Sequence, residues 1–170
     1  MPAENDASTP FDEQRLERLR IVTVDDEYGA HVQVELATMD ASDVQLIGQA
    51  TNGRAGAELV EREQPDLVLL DLNMPVMDGF ETIPLIRRIS PHTRILVWSN
   101  YERAEVEPVA LELGAHRFVS KFAAPEALLT AIRETGRPEV PKAVRTIFRA
   151  HLPRPMRRPG APGFRQVSRR

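Results

Sequence analysis

The sequence predicts an α/β protein, a five-stranded parallel sheet with helices on both faces. Three features carry that expectation. Short apolar runs alternate five times with longer helical patterns, the order that builds successive strand–helix units into a parallel sheet. The run Leu67-Val68-Leu69-Leu70 has no polar alternation, as expected of a strand covered on both faces. The strand-like runs also stop abruptly at polar residues: Asp25-Asp26, Asp71, Ser99 and Lys121.

Taken in order, Arg20 to Val24 reads as the first strand, closed by Asp25-Asp26-Glu27. Tyr28 to Met39 is helical, and Val44 to Ala50 is a second strand. Asn52-Gly53 signals a turn, followed by a helix from Arg54 to Arg62 with apolar Ala57, Leu59 and Val60. Pro65 introduces the third strand, Asp66 to Leu70. Asp78-Gly79 opens a helix to about Ile89, in which Pro84 must sit in the first turns or produce a kink. Arg94 to Trp98 is the fourth strand. The helix from Glu105 to Leu113 has Pro108 near its start and Gly114 as its C-cap. His116 to Val119 is a short fifth strand, and Pro125 to Thr135 a last amphipathic helix, begun by Pro-Glu and ended by Gly136.

This divides the chain into an N-terminal extension (1–18), one domain (19–136) and a tail (137–170). The first nine residues are polar and read as disordered, with a short helix from Phe11 to Leu19 leading into the first strand. From Val140 to Arg170 there are nine Lys or Arg and no acid, whereas the 139 residues before them hold 13 basic and 25 acidic groups. An acidic body is thus joined to a basic tail. Five prolines (Pro141, Pro153, Pro155, Pro159, Pro162) break that tail, so most of it is expected to be disordered. A short basic helix around Val144, Ile147 and Phe148, from Lys142 to Leu152, fits within it.

Composition narrows the function classes. With 42% apolar and 28% charged residues the chain has a soluble globular balance. No apolar run approaches the roughly 18 residues of a membrane span, and the N-terminus is acidic where a secretory signal would be basic. A cytoplasmic protein without membrane association is the expectation. The absence of cysteine excludes a disulfide framework, a thiolate metal site and a cysteine nucleophile.

In parallel sheets of this kind ligands gather beyond the C-terminal strand ends. Those ends supply Asp25-Asp26, Asp71, Ser99 and Lys121. Singly each has an ordinary explanation: a solvated turn, a polar strand end, a surface lysine. Asp71 is harder to set aside because four apolar residues precede it. Together, carboxylates converging on one rim repel one another unless a cation joins them. Two carboxylates with mostly water in the other positions is a usual way to hold Mg²⁺. A carboxylate beside that ion can act as a nucleophile toward phosphorus, with the lysine and hydroxyl steadying the transferred group.

The motifs VDDE after the first strand, LLDLNMPVMDG around Asp71, VWS at the fourth strand and GAHRFVSK at the fifth occur in that order. Arg20 to about Glu134 thereby resembles the receiver domain of bacterial two-component response regulators, with its (βα)5 flavodoxin-like fold. The resemblance implies that Asp71 is the phosphoacceptor. It implies Mg²⁺ bound by the carboxylates of Asp26 and Asp71 and the backbone carbonyl of Asn73, with Asp25 acting through water. Ser99 would be the switch hydroxyl, Lys121 the cation that pairs with the phosphoryl group, and Phe118 the aromatic that turns inward on activation. It further implies a sensor histidine kinase or phosphotransfer protein as donor. A downstream protein would be met by the fourth helix, fifth strand and fifth helix. A homodimer is compatible with the sequence. Three positions depart from the family's habits. Phe122 follows the lysine where many receivers have proline, so a trans bond is expected there. Asn100 follows Ser99 where a very small residue is usual, and Pro84 lies in the third helix.

Two other classes fit the sequence less well. A transcription regulator with a helix-turn-helix output needs two helices in a compact core of their own. The 31 residues from Val140 hold no second apolar helical pattern, so specific DNA binding is not expected and such an output would have to be lost or truncated. A metal-dependent phosphohydrolase commonly has a second aspartate two positions after its nucleophile. Here that residue is Asn73, which cannot serve as general acid. No glycine-rich nucleotide loop occurs either, and the chain is not expected to be an enzyme.

Overall fold

A computed structural model describes residues 18–137. Five strands, β1 (Leu19–Val24), β2 (Val44–Ala50), β3 (Leu67–Leu70), β4 (Arg94–Ser99) and β5 (Arg117–Ser120), alternate with five helices. These are α1 (Tyr28–Met39), α2 (Gly53–Glu63), α3 (Gly79–Ile89), α4 (Arg103–Leu113) and α5 (Pro125–Gly136). All strand pairs are parallel, in the order β2-β1-β3-β4-β5. The predicted fold class is the one observed. The extension before Arg18 and the basic tail, including the Lys142–Leu152 segment, lie outside the described residues.

The period-2 geometry of strands sorts side chains to two cores. Leu19 and Ile21 of β1, Leu67 and Leu69 of β3, and Leu96 and Trp98 of β4 pack under α1 and α5, against Val34, Leu128 and Ile132. Val22, Val24, Val68, Leu70, Ile95 and Val97 face the other way, onto Leu59 and Val60 of α2, Ile83 and Ile86 of α3, and Val106 and Ala110 of α4. Ile21, Leu67, Leu69 and Leu96 are each no more than 1% exposed; full burial of such a side chain contributes about 1.5–3 kcal/mol. This explains why β3 shows no polar alternation: it has a helical layer on each face.

Most boundaries fall within one residue of the sequence expectation, β5 being shifted by one to Arg117–Ser120, and two departures have a visible cause. Leu19 belongs to β1, not to a preceding helix, because its N–H pairs with the Asp43 carbonyl at 2.8 Å and its side chain lies against Gly136. Helix α4 starts at Arg103, two residues early, so Pro108 is its sixth residue instead of lying near its start. Pro84 is likewise the sixth residue of α3. It is exposed, so the Phe80 carbonyl that loses its helical donor lies on the same helix face, toward solvent. At the start of α3, Asp78 and Glu81 form a reciprocal capping box. Gly114 closes α4 at φ 112°, a left-handed conformation that favours glycine.

His116 precedes β5, and its Nδ1 accepts the Ile95 N–H at 3.0 Å. Burial, reinforced by the charges of Arg94 and Arg87, pulls the imidazole down to about 4 from an ordinary 6.5. The unfolded chain therefore binds this proton more readily than the folded one. The corresponding stability is present above about pH 6.5 and is lost as pH falls through about 4. We expect Tm to decline over that window, and His116→Gln, which cannot titrate, to flatten the slope. An equal slope in wild type and variant by thermal melts across that range would contradict this.

Candidate functional site

The strand order reverses between β1 and β3, and the loops leaving those two strands diverge there. Val24 is in register with Leu70, and Leu70 with Val97. The next residues, Asp25 and Asp71, therefore emerge side by side. Each is fixed by one further ladder hydrogen bond: Asp25 N–H to the Ala50 carbonyl and Asp71 N–H to the Val24 carbonyl, both 2.9 Å. Lys121 is placed in the same way, its N–H donating to the Ser99 carbonyl at 3.0 Å. Backbone pairing, before any side-chain contact, carries the polar residues to one rim.

The loop after Asp71 is held from both sides. Gly79 N–H donates to the Leu72 carbonyl and Gly53 N–H to the Met77 carbonyl, each at 3.0 Å. Between them Val76 adopts φ 70°, a left-handed conformation costly for a β-branched residue. Gly79 sits so close to the end of β3 that an added Cβ would lie 2.3 Å from the Asp71 carbonyl oxygen.

Carboxylate oxygens of Asp25, Asp26 and Asp71 lie within 4.8 Å of one another. Asp25 and Asp71 are 1% and 5% exposed, while Asp26 faces solvent. Lys121 reaches into this group: its Nζ is 2.8 Å from Asp25 Oδ2, 3.4 Å from Glu27 Oε2 and 3.5 Å from Asp71 Oδ2. The Asp25 contact is an ion pair, not an aligned hydrogen bond. Asp25 Oδ1 accepts the Glu27 N–H at 3.0 Å. Burial pushes the Asp25 carboxyl above its ordinary range, although Lys121 and the Glu27 N–H pull the other way. Burial also works against the Lys121 ammonium, but Asp25, Asp71 and Glu27 together outweigh it and hold lysine above its usual value. One ammonium thus stands among four carboxylates. Asp71 Oδ1 is buried and has no hydrogen-bond partner. An orphaned buried carboxylate oxygen with two further carboxylates in reach fits an oxygen-ligated divalent cation.

A cavity of about 270 Å³ opens on this cluster, lined by Asp26, Glu27, Asp71, Asn73, Ser99, Asn100 and Tyr101. Asp26, Asp71, Asn73 and Ser99, expected from sequence, are therefore together, with Asp25 and Lys121 directly behind them. Asn100 lines the cavity and is itself exposed. The Lys121–Phe122 bond is trans, since no cis peptide occurs among the described residues. Phe118 lies apart from the cavity and is buried in the core with Val97, Val106 and Ala110. Three residues of the site were not assigned from sequence: Glu27, Tyr101 and Trp98. The buried Trp98 ring lies 5.6 Å from Lys121 Nζ, within cation–π range. Glu27 could have been suspected, since it closes the VDDE motif.

Residues 21–133 match the family described as response regulator receiver domain. Nitrate/nitrite response regulator protein NarL of Escherichia coli (strain K12) is 38% identical over 120 residues, 71% of this chain and 56% of that protein. A protein-glutamate methylesterase/protein-glutamine glutaminase of Hahella chejuensis is 38% identical over 105 residues, 61% of this chain but 27% of the enzyme. The chain therefore spans about half, or about a quarter, of the length of these relatives. Among solved structures, the signal receiver domain of the putative response regulator NarL from Mycobacterium tuberculosis superposes with a TM-score of 0.69 at 29% identity, covering 72% of this chain and 99% of that one. No described helix is long and apolar enough to cross a membrane.

Proposed function

The chain belongs to the response regulator receiver domain family, and from that premise we propose that Asp71 accepts a phosphoryl group from the phosphohistidine of a sensor kinase or phosphotransfer protein. The observation that carries this reading is the buried, unpartnered Oδ1 of Asp71 facing two other carboxylates beside a lysine. An Asp71 carboxylate oxygen attacks phosphorus as the P–N bond of the donor breaks. The electron pair of that bond stays with the imidazole nitrogen, which takes a proton from solvent. Asp26, Asp71 and the Asn73 carbonyl would hold Mg²⁺, with Asp25 contributing through water; the ion supplies neutralisation of the phosphoryl oxygens. Lys121 balances charge on the transferred group once it swings from Asp25, and the Ser99 hydroxyl donates to it.

The phosphoryl group adds about 1.5–2 negative charges. Re-pairing of Lys121 pulls on the end of β5, the strand that also carries Phe118. The output surface is then the α4–β5–α5 face, where a cavity of about 530 Å³ is lined by Arg103, Arg117, Phe118, Ser120, Glu126 and Glu134. A downstream protein partner bound there would read the Lys121 rearrangement through Phe118.

The metal assignment separates the two neighbouring aspartates. Asp26→Asn should weaken Mg²⁺ binding by about tenfold or more, judged by what loss of even an outer partner costs, and slow phosphorylation in parallel. Asp25→Asn should do less, since its contact is indirect. Trp98 emission should report binding, because its ring lies 5.6 Å from Lys121 Nζ, whose carboxylate partners the ion would neutralise. A Mg²⁺-independent phosphorylation of wild type would sink the proposal.

A further inference from the structure

We propose that Glu27 is an electrostatic gate on phosphoryl transfer: its carboxylate occupies Lys121 and competes with the incoming phosphoryl anion for it. This rests on the assignment of Asp71 as acceptor but goes beyond it, since Glu27 has no role in that reaction as derived above.

Glu27 is the residue before α1, yet its side chain makes no capping hydrogen bond. It turns to Lys121 instead, at 3.4 Å. Its position is set by the backbone, through the bond from Glu27 N–H to Asp25 Oδ1. Of the three carboxylates touching Lys121, Asp25 and Asp71 are buried, whereas the Glu27 side chain is 59% exposed. It also lines the mouth of the acceptor cavity. An anionic donor approaching Asp71 therefore meets the Glu27 charge before it meets the lysine. That lysine must in turn exchange a carboxylate for the phosphoryl group. A cation entering the same cavity is helped by the same charge. Glu27 thus acts in opposite directions on metal and donor, which separates this role from the ordinary favourable effect of an acid at a helix N-terminus. The latter would appear in Tm and be indifferent to the charge of the donor.

The test uses the full chain at saturating Mg²⁺ with two small donors, acetyl phosphate, a dianion near neutral pH, and phosphoramidate, whose net charge is smaller. One unit charge acting on a dianion across roughly 5 Å of wet cavity corresponds to about fivefold in rate at roughly 0.1 M ionic strength. Glu27→Gln should therefore speed labelling by acetyl phosphate about fivefold, speed labelling by phosphoramidate less, and lose most of the gain in high salt. Glu27→Asp keeps the charge and should stay within about twofold of wild type. Mg²⁺ affinity of Glu27→Gln, read by Trp98 emission, should fall slightly. Unchanged rates in Glu27→Gln, a gain that survives high salt, or an equal gain in Glu27→Asp would overturn the gate. Labelling of the double variant Glu27→Gln/Asp71→Asn would instead overturn the acceptor assignment on which the gate depends.

Discussion

Asp71→Asn should take up no phosphoryl group from either a small donor or a phosphorylated kinase, while keeping its fold. An amide oxygen is not a nucleophile of this kind, and the substitution also removes one of the three clustered carboxylates that fit a divalent cation. Loss of fold is not expected, because the wild-type carboxylate is not a stabilising feature in metal-free protein. It is 5% exposed, one of its oxygens lacks a partner, and Asp25 and Asp26 lie within reach. Neutralising one member of a crowded anionic cluster relieves repulsion at the cost of one weak contact to Lys121, 3.5 Å away. Tm in metal-free buffer should be equal to wild type or higher, and Mg²⁺ should raise it less than in wild type. A variant that melts far earlier would mean that the carboxylate is part of the framework, not poised for chemistry.

Gly79→Ala should be strongly destabilising. The new Cβ would lie 2.3 Å from the Asp71 carbonyl oxygen and 2.7 Å from Leu72 Cα. Both obstacles are backbone, so no side-chain rotation relieves them. Either α3 shifts away from the sheet, breaking the Gly79 N–H bond to Leu72 and straining the Asp78–Glu81 capping box, or the end of β3 moves. We expect about 3 kcal/mol of destabilisation, the upper end of the overpacking range, and a Tm drop on the order of 10 °C. Phosphorylation of the folded fraction should also slow, since the Asp71 carbonyl is displaced. Gly29→Ala is the control. Within α1 an added Cβ meets nothing within 4 Å, and alanine there should stabilise by roughly 0.5–1 kcal/mol. Opposite signs for the same substitution, read by thermal denaturation, would show that the effect is steric and local.

The alternation of strands and helices was legible because two-sided burial writes itself into composition: Leu67 to Leu70 could not be a half-exposed strand. The rim residues Asp25, Asp26, Asp71, Ser99 and Lys121 were legible for a related reason, since in a parallel sheet the end of an apolar run marks a place in space. What the sequence concealed depends on contacts between distant segments. Lys121 meets Glu27 across 94 positions, and neither local pattern hints at the other. Trp98 is legible as the neighbour of Ser99 at the rim, but not the approach of its ring to Lys121, which arises because alternate residues of β4 face the α1–α5 layer. The early start of α4 escaped because Glu102 caps it without a side-chain hydrogen bond, so the usual start signal is missing. Leu19 looks helical in the sequence because its strand partner, the Asp43 carbonyl, is 24 positions away. Asp78-Gly79, by contrast, was a visible boundary because the capping box is local.

Trapping the acyl phosphate itself tests whether Asp71 takes the phosphoryl group. An aspartyl phosphate is reduced by borohydride to homoserine, so wild type labelled in the presence of Mg²⁺ and then reduced carries a permanent mark at the acceptor. Peptide mass mapping should find homoserine at position 71, dependent on both donor and Mg²⁺, and aspartate at positions 25 and 26. Homoserine at 25 or 26, a stable phosphate on Ser99, or unmodified Asp71 in protein that has taken up phosphate would contradict the account.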